Sequence, residues 1–321
     1  MRILCSISYA NNLPLAPGRY GPHEVDVLAR TSDWGKAGLS KYAHYTNEAF
    51  RLLRQARGYD ALALFTVSME AFLLGRIKRL LRGGPRLVCA DFLIPRPRRW
   101  LEPLRSGLQA FDAFICIRRG DAATLERRFG ISPARCLFAP FPCDPSVQEL
   151  PARETGYVYA AGWAHRDWPT LLRALEAVDV PAVLSVGGDL PLAPALRSRV
   201  RVLPQQSPGA GRALLADASL VVLPLRETEL PSGPLVLLDA MVMGKAVIVT
   251  DVNGSRDYVT HGCTAWVVPP GDPQALKSAI TELMQNPKLR RRLGQAARRD
   301  ILNRCTTDAF LKPVLAACVR A

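Results

Sequence analysis

The sequence lacks the usual marks of a metal, redox or membrane-spanning protein. Its eight cysteines are scattered without a CxxC pair, and its four histidines (His23, His44, His165 and His261) form neither a zinc spacing nor a nucleophilic triad. No apolar run approaches the roughly 20 residues that a transmembrane helix needs. We therefore expect buried, reduced thiols and no bound metal.

The amino-terminal segment also lacks the features of a secretion signal. The apolar run 2–9 begins directly after Met1, without a basic region before it or a small-residue cleavage site after it. We therefore expect a cytoplasmic protein whose mature chain begins at Met1.

The chain does contain enough apolar sequence for two cores. Its 321 residues exceed the length at which single cores usually stop growing, about 250 residues, and 49% of them are hydrophobic. In both halves short apolar runs alternate with stretches of helical periodicity, which predicts parallel, doubly wound α/β sheets. A polar, proline-rich stretch at 141–155 separates the halves, so we predict two Rossmann-like domains, residues 1–150 and 151–321.

The predicted strands are short and bounded by turn residues. In the first domain they lie at 2–9, 61–66, 86–89, 113–117 and 136–139. In the second domain they lie at 156–161, 182–186, 200–203, 220–223, 246–250 and 264–267.

The positive charge is concentrated in the first half. The chain has a net charge of +14, and the segment from Arg76 to Arg105 contains nine basic residues but only two acidic ones. Leucine, phenylalanine and tryptophan residues are mixed with them, which is typical of a surface that rests on anionic lipids. A solvated basic face on a core helix is the alternative. No RNA-binding motif accompanies the charge, so nucleic acid is not an expected partner.

The loop and helix after residue 230 carry the most specific pattern. Ser232 and Gly233 precede a predicted helix in which Pro234 suits the first turn, because a missing N–H there loses no hydrogen bond. The free N–H groups of Gly233, Leu235 and Val236, together with the positive end of the helix, would bind a diphosphate.

Asp239 follows Leu235 by one helical turn, on a face that can look toward the same crevice. A carboxylate there can accept hydrogen bonds from a ribose diol, as an acidic residue does in dinucleotide-binding folds. A solvated helix residue is the plainer alternative.

From about Gly156 to Gln295 the sequence resembles the retaining glycosyltransferases of the group 1 family, most clearly over 233–251. The resemblance implies the GT-B architecture, in which two Rossmann-like domains face each other across a cleft. The domain 151–321 would bind a nucleotide sugar, such as a UDP-sugar or GDP-sugar, and 1–150 would bind the acceptor. It also implies transfer of a sugar, a hexose by expectation, to an acceptor hydroxyl with retention and without a further cofactor.

Family members carry two glutamates eight positions apart in this segment, the first near the donor sugar and the second on the ribose. Asp239 stands at the second position, but Pro231 occupies the first. Glu227 and Glu229 lie just upstream, and we favour Glu229 as the carboxylate near the sugar. Both can instead be solvated loop acids.

The start of the second domain, 156–172, resembles the family's first strand, loop and helix there, where a basic residue commonly reaches the diphosphate. Arg166 is the candidate, because a planar guanidinium can hold phosphate oxygens and offset charge on a departing nucleotide. A surface arginine at a helix start is the alternative. Gly162 and Gly187 follow two successive strands and are expected to line the nucleotide. No aspartate pair stands where it would hold a metal, so we expect a metal-free mechanism.

In the first domain, Asp91 lies near the place where many family members have a histidine that faces the acceptor. It is a candidate acceptor contact, and a strand-end residue without such a role is the alternative. The basic segment would bring a lipid-linked or membrane-proximal acceptor within reach, with the protein peripheral on the inner face of the membrane.

Two other functions remain open at this point. An epimerase or phosphorylase can share the same architecture. A non-catalytic basic α/β protein that binds membrane or nucleic acid belongs to a different class, and Pro231 is the feature that favours it.

Overall fold

The structure is a computed structural model that describes residues 1–7, 15–29, 38–67, 69–81, 83–92, 99–150, 153–162, 164–229 and 234–319. The chain forms two compact α/β units, as the sequence predicts. The first unit comprises Met1–Pro142 and Thr307–Ala321, and the second comprises Cys143–Thr306. The carboxyl-terminal segment thus packs with the first unit, whereas the sequence pattern assigned it to the second.

The first unit is built on one sheet. Its described strands are β1 (Arg2–Ile7), β2 (Gly18–Tyr20), β3 (His23–Ala29), β4 (Ala61–Val67), β5 (Arg86–Phe92), β6 (Ala113–Cys116) and β7 (Cys136–Phe138). Its described helices are α1 (Gly38–Gln55), α2 (Met69–Leu81) and α3 (Gly120–Phe129), with α9 (Thr307–Val319) from the far end of the chain. The strand order is β2-β3-β1-β4-β5-β6-β7, with β2 antiparallel to β3 and the other pairs parallel.

Both faces of this sheet are covered, because alternate residues of each central strand point to opposite sides. Leu62 and Leu64 of β4 join a core with α1 and α2, whereas Ala61 and Ala63 join a core with α9. The interleaved apolar residues explain why the strands read as continuous hydrophobic runs.

Helix α9 belongs to the first unit because its apolar stripe fits that second face. Phe310, Val314 and Ala317 lie on one side of the helix and are almost fully buried. The Phe310 ring stands 6.1 Å from the rings of both Phe65 and Phe141. Burial of the large Phe310 side chain stabilises the packing of α9 on this sheet.

The second unit contains a parallel sheet of six strands in the described residues. These are β8 (Val158–Ala161), β9 (Ala182–Val186), β10 (Val200–Pro204), β11 (Leu220–Leu223), β12 (Val247–Thr250) and β13 (Trp266–Val268). The helices are α4 (Trp168–Glu176), α5 (Pro208–Asp217), α6 (Leu235–Val242), α7 (Pro273–Gln285) and α8 (Pro287–Arg304). All six predicted strands are present, each within two residues of its predicted ends.

Local capping chemistry explains where several of these helices begin. Ser207, Asp272 and Asn286 each accept a hydrogen bond from a first-turn N–H, and each is followed by proline at the first helical position. Proline there has no N–H that would need an acceptor.

The strand order β10-β9-β8-β11-β12-β13 reverses direction between β8 and β11. In open parallel sheets, ligands bind beyond the carboxyl ends of the strands at such a switch point. The topology therefore directs attention to the loops that follow β8 and β11.

Six of the eight cysteines are buried, as predicted, but Cys136 is only partly buried and Cys263 is exposed. Within the described ranges, no helix is both long enough and apolar enough to span a bilayer.

Candidate functional site

The loops after β8 and β11 are fastened to each other. The Asp167 N–H donates to the Pro224 carbonyl at 2.6 Å, and the Arg226 N–H donates to the His165 carbonyl at 2.9 Å. Arg166 and Leu225 face each other as an isolated antiparallel bridge. Two loops that are far apart in the sequence thus form one rigid shelf at the switch point.

Arg166 is buried in this shelf, with only 7% of its surface exposed. Its Nε donates to the Ala161 carbonyl at 2.8 Å and its Nη1 to the Ala164 carbonyl at 2.9 Å. Burial lowers the pKa of Arg166 to about 10, so the guanidinium stays charged at neutral pH. The surface-arginine alternative is therefore wrong.

Within the described part of the chain, Arg166 hydrogen-bonds only to carbonyl oxygens of its own loop, and a buried cation with such partners is costly to the folded protein. Among the described residues, desolvation is the one cause that shifts the pKa of Arg166, and none of their carboxylates offsets it. Such a charge suits an anionic ligand, which would supply the missing opposite charge.

The loop that carries Arg166 has an unusual backbone. Gly162 has φ +116°, and a Cβ at that position would lie only 2.5–2.8 Å from the Arg166 guanidinium. His165 adopts the left-handed conformation, with φ 54°. Left-handed backbone at a residue with a side chain stores strain, and such strain concentrates at functional sites. Gly187 lies exposed directly after β9.

Helix α6 begins after β11 with its amino terminus at the same edge of the sheet. The first helical hydrogen bond runs from the Leu238 N–H to the Pro234 carbonyl at 2.9 Å. The N–H groups of Leu235 and Val236 precede it and have no acceptor within the helix. Ser232 and Gly233, which were predicted to contribute to the same seat, lie outside the described residues, as does Pro231.

Asp239 is mostly buried, with 18% of its side chain exposed, so it is not a solvated helix residue. Arg212 of α5 binds it through two hydrogen bonds, Nε to Oδ2 at 2.9 Å and Nη2 to Oδ1 at 3.2 Å. Burial raises the pKa of Asp239, and the ion pair with Arg212 opposes that shift.

The two glutamates upstream of the helix differ in their surroundings. Glu227 accepts a hydrogen bond from the Asn253 N–H at 3.2 Å and forms an ion pair with Arg256 at 3.1 Å. Glu227 therefore joins the loops after β11 and β12. Glu229 is exposed.

Asp91 lies in the first unit, near the end of β5. It is buried, with 7% exposed, and has φ 58°. This left-handed conformation is uncommon for a residue other than glycine, and it marks the strand end as a constrained position.

Sequence reasoning did not identify Arg212, the partner of Asp239. The two residues stand 27 positions apart on different helices, so no local spacing connects them. It also overlooked Thr250, whose hydroxyl bonds both the N–H and the carbonyl of Leu225 at 2.8 Å and so holds the loop after β11. In the part of the chain that the structure describes, no three His, Cys, Asp or Glu residues stand close enough to hold a metal ion.

The chain matches known families over part of its length. Residues 192–300 match the family described as Glycosyl transferases group 1, which confirms the predicted resemblance over that segment. Alpha-D-kanosaminyltransferase of Streptomyces kanamyceticus is 33% identical over 102 residues, which are 32% of this chain and 26% of that protein. The curated relatives are thus matched over about a quarter of their length or less.

Solved structures are similar over nearly the whole chain. A glycosyltransferase from Rickettsia africae ESF-5 has a TM-score of 0.71 at 11% identity, covering 99% of this chain and 97% of that one. Anabaena HepE, solved in complex with UDP-glucose, has a TM-score of 0.68 at 16% identity, covering 98% of each chain. The fold is GT-B, as the resemblance implied.

Proposed function

We propose that this chain, whose residues 192–300 match the group 1 glycosyltransferases, transfers a sugar from a nucleotide-sugar donor to an acceptor hydroxyl. The relatives named as glycosyltransferases support the activity. The HepE complex supports a donor of the UDP-sugar class. The hexosyl group, the nucleotide and the acceptor are parts of the proposal.

The observation that carries the proposal is the pairing of Arg166 with the start of α6 at the switch point. Both features present positive charge at the carboxyl ends of β8 and β11, the strands between which the sheet order reverses. A diphosphate gains negative charge as the sugar departs. Positive groups fixed in advance stabilise that transition state more than the ground state.

The other roles in the proposal rest on the start of α6 and on the family resemblance. The first N–H groups of α6, from Gly233, Leu235 and Val236, bind the diphosphate together with Ser232, and Asp239 accepts hydrogen bonds from the ribose. Gly162 and Gly187 allow the nucleotide to approach the ends of β8 and β9. Glu229 is assigned to the donor sugar and Asp91 to the acceptor.

The reaction is proposed to proceed with retention and without a metal ion. Retention rests on the family resemblance, and proton NMR of the first product formed would reveal the anomeric configuration. Activity should survive excess EDTA. A loss of activity that Mg²⁺ or Mn²⁺ restores would contradict the metal-free mechanism.

The first experiment is a thermal-shift screen against UDP-, GDP-, ADP- and TDP-sugars, followed by an assay of donor hydrolysis without acceptor. A ligand that binds only the native state raises the melting temperature. Slow hydrolysis of the stabilising donor would support a transferase. Stabilisation without any turnover would favour the non-catalytic binding protein, and conversion of the donor to an epimer would favour the epimerase.

The basic segment was predicted to dock on an anionic membrane, and several of its side chains instead bind the protein. Arg76 and Arg79 both reach Ser106, at 3.3 and 3.0 Å, and Lys78 approaches Asp112 at 3.5 Å. These residues connect α2 to the 3-10 segment Arg99–Ala110 and to Asp112, which directly precedes β6. They do not all remain available for lipid.

The membrane proposal therefore rests on the end of α2 and on residues beyond it. Leu80 and Leu81 are 80% and 63% exposed, and they directly follow three basic residues, Arg76, Lys78 and Arg79. Two adjacent exposed leucines form an apolar patch beside this positive charge. We propose that these leucines enter the headgroup region while nearby arginines bind anionic lipids, which brings a lipid-linked or membrane-proximal acceptor within reach on the inner face.

Vesicle sedimentation at low and high salt tests this docking. We expect binding to anionic vesicles but not to neutral ones, weakened by salt and by charge reversal at Arg96, Arg98 and Arg99. Leu80→Ser with Leu81→Ser should weaken it further. Failure to bind either vesicle type would exclude docking on a membrane and would point to a soluble anionic acceptor.

A further inference from the structure

Arg212 forms a three-residue cluster with two carboxylates of the second unit. Its Nε and Nη2 bind the two oxygens of Asp239, and its Nη1 lies 3.0 Å from Oδ2 of Asp144. The three side chains are 18–29% exposed, so solvent screens the charges only partly. Asp144 directly follows Cys143, the first residue of the unit.

A two-point ion pair fixes the plane of a carboxylate as well as its position. A carboxylate offers about four lone pairs, and Arg212 uses one on each oxygen of Asp239. The remaining lone pairs can accept hydrogen bonds from two neighbouring hydroxyls. The arrangement therefore suits a cis-diol better than a freely rotating aspartate would.

We infer that Arg212 is a positioning residue of the donor site, which keeps the Asp239 carboxylate ionised and in one orientation for the ribose diol of the nucleotide. This inference rests on the proposed function, since it adds a residue to the proposed ribose contact.

The charges around Asp239 support this role. Burial raises the pKa of Asp239, the ion pair with Arg212 lowers it, and the neighbouring Asp144 raises it. Among the described residues, Cys143 is a further titratable group that interacts with this carboxylate. From α8, Arg298 binds Gln148 at 3.0 Å, and β12 contributes no titratable side chain.

The expected pH dependence of the ribose contact follows from these shifts in the pKa of Asp239. The ionised carboxylate accepts hydrogen bonds at both oxygens more strongly than the protonated acid, so the ribose contact weakens as pH falls through the pKa of Asp239. Removing Arg212 should move that loss to higher pH. Removing the charge of Asp144 should move it to lower pH.

The experiment compares UDP with 2′,3′-dideoxy-UDP by calorimetry between pH 5 and pH 8. Both ligands carry the same diphosphate, so the ratio of their Kd values reports the ribose contact and cancels titration of the phosphate. We expect a ratio of about ten or more for the unaltered protein at pH 8. Asp239→Asn should bring the ratio close to one.

Arg212→Gln should reduce the ratio about tenfold at pH 6 and shift its decline to higher pH. Arg212→Lys should restore part of the ratio, because it returns the charge without the two-point geometry. Asp144→Asn should shift the decline to lower pH. Arg173→Gln, the same change at an exposed position of α4, is the matched control and should leave the ratio unchanged.

The outcomes distinguish the ribose contact of Asp239 from the positioning role of Arg212. A ratio near one for the unaltered protein would overturn the ribose contact itself, and this inference with it. A normal ratio that Asp239→Asn abolishes, but whose pH dependence Arg212→Gln and Asp144→Asn leave in place, would overturn the inference alone. If Arg212→Gln does not fold, the shift in Asp144→Asn decides the question.

Discussion

Buried positive charge has different partners at two edges of the second sheet: the edge formed by the amino-terminal ends of its strands and the edge formed by their carboxyl-terminal ends. At the amino-terminal edge, Arg290 forms an ion pair with Glu154 and donates to the carbonyls that end α7. Lys245 donates to the carbonyls of Arg153 and Ala218 at the same edge. At the carboxyl-terminal edge, Arg166 donates to two carbonyls of its own loop and to no carboxylate of the residues that the structure describes. At the amino-terminal edge the buried charges are bound by groups of the protein, whereas at the carboxyl-terminal edge Arg166 keeps a charge that an anionic ligand can neutralise.

The largest effect is expected from Arg290→Met at the amino-terminal edge. It leaves the two carbonyls that end α7 without their donor, so the free energy of unfolding should fall by about 3 kcal/mol. Urea unfolding measures the change, and nucleotide affinity should be unaltered. Arg291→Met, at the next and exposed position, is the control. Equal stability in both variants would remove the contrast between the edges.

Arg166→Met should affect function instead of stability. Loss of a fixed positive group near the leaving diphosphate should lower kcat by about 100-fold, with a smaller change in KM. The free energy of unfolding should remain equal or rise, because an uncompensated buried charge disappears. A rise in KM alone would mean that Arg166 binds ground state and transition state equally.

Asp239→Ala should weaken UDP binding by about 1.5–3 kcal/mol, the range for hydrogen bonds to a charged group. Calorimetry gives the dissociation constant directly. Asp179→Ala, at an exposed position after α4, controls for the change in net charge. An unchanged dissociation constant would remove Asp239 from the site.

Gly162→Ala should have the smallest effect, a loss of about 1–2 kcal/mol in stability, because φ +116° disfavours alanine and the methyl group would displace the Arg166 guanidinium. The same displacement should lower kcat. Gly188→Ala, where a Cβ meets no atom within 4 Å, is the matched control. Wild-type kcat in Gly162→Ala would show that the position of Arg166 tolerates such a shift.

Local sequence signals predicted much of the second unit correctly. The pattern of Ser207 with Pro208, and of Asp272 with Pro273, marks helix starts through chemistry confined to a few neighbouring residues. The first unit was predicted less completely. The hairpin of β2 and β3 was overlooked, because β2 has only three residues and is the outermost strand of the sheet, and polar residues interrupt the apolar pattern of β3.

Residue identity at the candidate site was also within reach of the sequence, but its environment was not. Arg166 and Asp239 were selected from their places in a strand, loop and helix pattern. The burial of Arg166, with no carboxylate partner among the described residues, depends on a loop from elsewhere in the sequence, which pairs with it as an isolated bridge at Leu225. Burial and the partners that offset it arise only when distant segments meet.

The sequence by itself determined the alternation of strands and helices, the places where helices begin, and the candidate residues at the strand ends. These depend on interactions between neighbours in the chain, such as caps and apolar periodicity. Only the tertiary structure decided that α9 covers the first sheet, that Arg212 binds Asp239, and that Arg166 has no acidic partner in the ranges that the structure describes. Those outcomes depend on desolvation and on contacts between residues far apart in sequence, and no local pattern encodes either.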